Sequence, residues 1–357
     1  MQIKKLSLEN FRSHSSFDLT LGEDVTMVVG SNGSGKTSIV EAVCLASTGQ
    51  SFRAGRADEM VRFEQDLGRV KVLLEDEDQI EMLLTRGQLQ GKRTPFKHYR
   101  VNGVKKRAKD TVGRFQVVVF RPEDLRLVEG SPRRRRAFLD QALSGLYPDY
   151  ASSQTTYERT LARRNKLLQA VREREQPQTA LHYWNLSLVK HGEILQDKRR
   201  KWLQDTSQTK FPVEFEVEYL PSLISEEIML DHLDRAIAAG HTLVGPHKDD
   251  FLVKADVQDM ERGDSTQFKD VAIYGSRGQQ RLAVLWLKTC QLKYVENKLQ
   301  ETPMLLLDDI LSELDSPSRG FTLSLLNSRQ SLITTASKGV GDRIVKTFPK
   351  LTKISLL

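Results

Sequence analysis

Eight consecutive residues, Gly30-Ser31-Asn32-Gly33-Ser34-Gly35-Lys36-Thr37, set three glycines, a lysine and a hydroxyl in the order G-x-x-x-x-G-K-[ST]. Glycines let a loop curl until its N–H groups point inward, which is what a polyphosphate needs. Lys36 then neutralises charge on the terminal phosphates, and the Thr37 hydroxyl ligates Mg²⁺. A Gly/Ser-rich turn before a helix can carry the same letters. Context separates the two readings, because an apolar run at 25–29 precedes the motif and a helical pattern opens near Lys36.

A second chemical signal lies far downstream in Pro303-Met304-Leu305-Leu306-Leu307-Asp308-Asp309. An apolar strand buried between neighbours delivers carboxylates at its C-terminal edge, where doubly wound sheets place their ligands. Asp308 is expected to hold Mg²⁺ through its waters, and Asp309 to polarise an attacking water. The cofactors are therefore ATP and Mg²⁺, with Lys36 and Asp309 as catalytic candidates and Thr37 and Asp308 as metal candidates. Between the two motifs, Gly275-Ser276-Arg277-Gly278-Gln279-Gln280-Arg281 opens an apolar-periodic helix over 282–299. Read alone, Ser276 is a favoured helix N-cap.

The elements that must position these residues follow from periodicity. Residues 3–8, 17–21, 25–29, 70–75, 80–85 and 116–120 read as strands, and 38–46 as a helix. Asn102-Gly103 marks a type I′ hairpin, since both residues tolerate positive φ. From 122 to 211 strand character disappears. Leu181, Leu188, Leu195 and Trp202 recur every seven residues there, the seam of a helix packing on the preceding helix at 157–175. The Gln176-Pro177-Gln178 break separates the two helices. Alternation at 213–219 restores strand character, and α/β alternation continues to the end. The expected organisation is an α/β fold, a mixed sheet with flanking helices at 1–121 and 212–357, interrupted by an α-helical lobe at 122–211.

Composition fits a folded chain of 357 residues, 39% hydrophobic, with no apolar run near the ~18–20 residues a bilayer requires. A cytoplasmic location without membrane contact is expected. Cys44 and Cys290 sit in apolar helical patterns and read as core residues. The net charge is +7, and residues 125–210 hold 17 Lys and Arg against 9 Asp and Glu, leaving the remainder near neutral. That concentration points to a phosphate-rich partner for the middle of the chain, although solvated helix faces also carry charge runs.

Ser276-Arg277-Gly278-Gln279 resembles the S-G-G-Q signature of ABC-class ATPases, and Ser312-Glu313-Leu314-Asp315 resembles their D-loop. The resemblance implies an ABC-type P-loop ATPase head in which one subunit's signature caps the γ-phosphate held by another. Ser276, the third catalytic candidate, would then act in trans with Gly278 and Gln279 on the bound nucleotide. Within that class the chain is most similar, over nearly its whole length, to the RecF family. Asn10-Phe11-Arg12, Phe120-Arg121-Pro122-Glu123-Asp124-Leu125, Gly130-Ser131-Pro132 with Arg134-Arg135 and Phe138-Leu139-Asp140, Gly245-Pro246-His247-Lys248-Asp249-Asp250 and Leu307 to Asp315 carry the match. Membership implies an ATP-dependent homodimer that binds double-stranded and gapped DNA at single-strand/double-strand junctions. It also implies work with RecR and RecO in loading RecA, in repair and replication restart.

Three departures from the wider class bear on hydrolysis. No glutamine stands where a Q-loop would place one, and Glu123 is the nearest substitute; Asp309 is one methylene shorter than the usual glutamate; Thr335-Ala336 follows the strand at 332–334 with no switch histidine. Slow hydrolysis is expected, with ATP acting mainly as a dimerisation switch. Arg12 reaches the nucleotide phosphates, as the family suggests, or pairs with a surface acid. His247 reads as a turn residue. Arg133, Arg135, Arg136, Lys198, Arg199, Arg200 and Lys201 are the candidate DNA contacts, but four successive cations point around a helix in every direction, so about half of each run is solvated or packed. Two other classes share the ATP motifs. Lys36 and Ser276 are 240 residues apart, far more than in a transporter subunit, and helices of roughly 30–37 Å are too short for the rod of a chromosome-organising SMC ATPase.

Overall fold

The computed structural model describes residues 1–256 and 268–356. Its strands run β1 (Ile3–Phe11), β2 (His14–Thr20), β3 (Val25–Val29), β4 (Leu67–Leu74), β5 (Gln79–Thr85), β6 (Gln88–Leu89), β7 (Lys92–Arg93), β8 (Lys97–Val101), β9 (Val104–Lys106) and β10 (Val117–Phe120). They continue as β11 (Phe215–Leu220), β12 (Asp250–Asp256), β13 (Phe268–Asp270), β14 (Met304–Asp308), β15 (Ser331–Thr335) and β16 (Thr352–Ser355). The helices are α1 (Lys36–Thr48), α2 (Pro132–Ser144), α3 (Pro148–Arg172), α4 (His182–Thr206) and α5 (Glu226–Asp231). After them come α6 (Leu233–Ala239), α7 (Val271–Tyr274), α8 (Arg277–Leu299), α9 (Ser316–Ser324) and α10 (Lys338–Thr347).

Two compact units result, one of residues 1–125 and 291–357, the other of 126–290. In the first, five strands pair in the order β10-β14-β15-β3-β16, every pair parallel. The near-continuous apolar runs of β10 and β14 suit a sheet covered on both faces. A six-stranded antiparallel sheet, β2-β1-β4-β5-β8-β9, alternates instead; β4 buries Val70, Val72 and Leu74 and turns Arg69 and Lys71 outward. Helix α1 packs against strands of both sheets and is buried almost all round. A helix that is apolar on every side must be enclosed in this way. The expected hairpin at Asn102-Gly103 joins β8 to β9, with φ of 51° and 76°.

In the second unit α3 and α4 form the expected helix pair, with Leu181, Leu188, Leu195 and Trp202 all buried. The boundary expected at 211/212 requires correction. Strand β11 does not return to the ATPase sheets; it pairs antiparallel with β12, and β12 with β13, as a separate three-stranded sheet on which α2 packs. Strand alternation at 213–219 records pleating and one buried face. It does not record which sheet the strand joins. Both cysteines are buried, and among the described residues no helix is long and apolar enough to cross a membrane.

Candidate functional site

Parallel pairing fixes what meets at the C-terminal edge of the five-stranded sheet. Val29 lies level with Thr335, Asp308 with Thr334, and Phe120 with Leu307. The loop Gly30–Gly35, the acids after β14 and the segment after β10 therefore gather at one edge. Gly33 and Gly35 have φ of 85° and 94°, and a Cβ on Gly35 would lie 2.4 Å from His14 Nε2, so glycine is required there for both conformation and space.

Lys36 Nζ donates to the carbonyls of Gly30 (2.9 Å) and Ser31 (2.8 Å), which holds the ammonium across the loop. The Thr37 hydroxyl donates to Asp308 Oδ1 at 3.1 Å, and Thr334 Oγ1 donates to the same oxygen at 2.8 Å. Burial lifts the Asp308 carboxyl above the usual carboxylate range; the two hydroxyls oppose this, while the charges of Glu123 and Asp309 reinforce it. Asp309 adopts a left-handed conformation (φ 52°), which Asp tolerates better than most residues. Its N–H donates to Thr334 O at 3.1 Å, and its Oδ1 accepts from the Ala336 N–H at 3.4 Å.

A cavity of about 750 Å³ opens over this edge. Asn32, Gly33, Gly35, Lys36, Thr37 and Asp309 line it, as does Arg12. Arg12 is fixed by a bidentate pair with Glu41 (2.6 and 2.9 Å) and a bond to Glu59 O, and Glu41 is a fully buried acid of α1 rather than a surface one. Sequence reading missed Ser13, Arg53, Phe63 and Arg86, which line the cavity together with Ser38, Asp58, Glu59 and Val61. Phe63 is 82% exposed, the kind of unpaired aromatic whose sequence context, between Arg62 and Glu64, carries no signal. Arg86 is oriented by donating to the carbonyls of Gln65 and Arg62.

The residues present fit a nucleotide polyphosphate with a divalent cation. Ser34 Oγ is buried without a hydrogen-bond partner among the described residues, an acceptor and donor that a phosphate would satisfy. Thr37 and Asp308 supply the hard oxygen donors that Mg²⁺ takes, which bound there would neutralise phosphate charge.

The signature residues lie in the second unit and do not line this cavity. The Ser276 N–H donates to Gln279 Oε1 (2.8 Å) and the Gln279 N–H to Ser276 Oγ (3.3 Å), a reciprocal capping box at the start of α8. Ser276, Arg277 and Gly278 are exposed.

Several candidate DNA contacts are committed elsewhere. Arg199, 3% exposed, donates to Asp140 Oδ1 (2.7 Å), Asp249 Oδ2 (2.8 Å), Pro246 O and the Tyr150 hydroxyl. Arg135 forms a buried bidentate pair with Asp250 (2.6 and 2.8 Å), and Arg136 donates to Asp249 O. Lys198 pairs with Asp149 and Arg200 with Asp197. Arg133 and Lys201 face solvent. The correction has a periodic cause: at 100° per residue one cation in each run of four must face the core. His247 is likewise structural in its contacts: burial holds its imidazole at about 4, and it bonds Tyr157 Oη (2.8 Å) and Thr242 O (3.2 Å).

Loop, lysine, and the Thr37–Asp308 pair at the edge of a parallel sheet define a P-loop ATPase head. Comparison with known proteins narrows the class. Residues 2–353 match the family described as RecF/RecN/SMC N terminal domain. The DNA replication and repair protein RecF of Agathobacter rectalis is 31% identical over 358 residues, covering 94% of this chain and 92% of the relative. That of Bacillus cytotoxicus is 31% identical over 362 residues with the same coverage. Among solved structures, the recombination mediator protein RecF-ATPrS of the RecFOR pathway superposes with a TM-score of 0.82 at 29% identity, covering 94% of this chain and 93% of that one. RecF-ATP gives 0.79 at 29% identity, covering 94% and 92%. An Smc head domain from Pyrococcus furiosus shares the fold alone, at 16% identity and a TM-score of 0.51, covering 99% and 94%. The chain belongs to the RecF family.

Proposed function

We propose that this chain is an ATP-dependent DNA-binding protein of recombinational repair and replication restart, cytoplasmic, and active as an ATP-bound homodimer at single-strand/double-strand junctions. Work with RecR and RecO in loading RecA at gaps follows from family membership. The observation that carries the reading is the joining of Lys36, Thr37 and Asp309 in one cavity of nucleotide size, with Asp308 held behind Thr37 by its hydroxyl. Lys36 takes the β/γ-phosphate charge, Thr37 and Asp308 hold Mg²⁺, Arg12 and Arg53 add positive charge to the wall, and exposed Phe63 offers a face to the base. Hydrolysis is slow because Asp309 is short and strand β15 brings threonines where a histidine would assist. ATP therefore serves chiefly to close the dimer, with Ser276, Gly278 and Gln279 of one copy capping the nucleotide of the other.

Lys36→Met tests this. Removing the cation from a polyphosphate site costs about 2–5 kcal/mol, tens to thousands-fold in affinity. The wild type should bind labelled ATP and show ATP-stimulated affinity for gapped duplex; the variant should lose both. Equal ATP affinity in the two proteins would overturn the site.

A further inference from the structure

From Met82 to Lys109 the chain carries nine Lys and Arg and no Asp or Glu, a run that the near-neutral total outside 125–210 conceals. Three of the nine are occupied locally, Arg107 by an ion pair with Asp110 at 2.9 Å. Arg86 lies on backbone carbonyls at the nucleotide cavity, and Lys97 Nζ donates to Gly49 O at 2.7 Å. The remaining six are exposed, along β7, β8, β9 and the turn that follows, and every residue from 102 to 110 faces solvent.

Register orders these charges. Lys71 pairs with Glu81, Glu81 with Arg100, and Arg100 with Lys105, so all four occupy one row across β4, β5, β8 and β9. Glu81 is the row's single acid, and it is shared by Arg69 (3.1 Å), Lys71 (3.7 Å) and Arg100 (3.5 Å), which leaves the row positive. Lys105 and Lys106 make no ion pair among the described residues, and they lie on the outermost strand of the sheet. Three strand spacings of ~4.8 Å make the row about 14 Å long. Duplex DNA presents one phosphate per ~1.7 Å of axis, so a duplex against this edge meets several phosphates within that length.

We propose that the β8–β9 edge, through Arg100 and Lys105, is a phosphate-backbone contact for duplex DNA, carried by the ATPase unit and separate from the basic helical unit. The inference rests on the DNA-binding reading above. Lysines on an edge strand also discourage sheet-to-sheet aggregation. That role needs one or two charges of either sign, whereas here 28 residues exclude acids altogether.

The test replaces both cations (R100Q/K105Q) and follows binding to a fluorescent 30-base-pair duplex with ATP present, at several salt concentrations. Each phosphate contact contributes about 0.9 to the slope of log affinity against log salt, so the variant's slope should be shallower by about 1.8. Labelled-ATP affinity, set by a different part of the unit, should match the wild type and shows that the variant is folded. Wild-type slope and duplex affinity in a variant that still binds ATP would overturn the proposal and leave the DNA-binding reading standing. A wild type that binds no DNA at any salt would overturn both.

Discussion

Asp308 and Asp309 are neighbours in sequence with different surroundings, and they should fail differently. Asp308 is buried, takes hydroxyl donors from Thr37 and Thr334, and is the residue proposed to hold the cation. Asp309 turns through a left-handed φ into the cavity. Asp308→Asn should weaken Mg²⁺-dependent ATP binding, whereas Asp309→Asn should retain ATP and slow its turnover, prolonging the dimer. Nucleotide binding and single-turnover hydrolysis, measured side by side, separate the two; normal turnover by Asp309→Asn would place the water-polarising group elsewhere. Both acids were legible in the sequence because an apolar strand ending in carboxylates is a local pattern. Thr334, Arg53 and Phe63 were not, since each reaches the site through tertiary packing of segments with ordinary composition.

At the scale of elements, a helix assigns roles by angle, and run composition cannot. Arg199 lies in Lys198-Arg199-Arg200-Lys201 yet turns inward to tie α2, α3, α4 and the turn before β12 through Asp140, Tyr150, Pro246 and Asp249. Asp249 is fully buried and also accepts from Gln196, Tyr219 and the Ser222 N–H, so losing its cation leaves a charge in the core. Breaking such a pair costs about 3–5 kcal/mol. Arg199→Gln should therefore lower the melting temperature by roughly 10 °C while leaving the salt dependence of DNA binding unchanged in protein that remains folded. A normal melting temperature with a shallower salt slope would return Arg199 to the DNA contacts. Heptad spacing did reveal the α3–α4 pair, because a seam repeats; it did not reveal that β11 belongs to the same unit, because pleating is identical in any sheet.

At the scale of the molecule, the charge balance that pointed to residues 125–210 averaged away the acid-free stretch at 82–109, and only the sheet register showed those cations lying together. The P-loop and the segment that resembles the signature lie in different units. Ser276 and Gln279 satisfy each other's backbone donors while Gly278 stays open to solvent, so the capped start of α8 is a preformed, exposed surface. The central claim is that ATP assembles two copies by placing this surface on the partner's nucleotide. Sedimentation velocity of wild type and Ser276→Arg, with ATP and a gapped duplex, tests it most directly. A bulky cation at a close interface should leave ATP binding by the monomer intact, abolish the ATP-dependent dimer and weaken DNA binding with it. A Ser276→Arg protein that sediments as an ATP-dependent dimer on gapped DNA, as the wild type does, would contradict the claim.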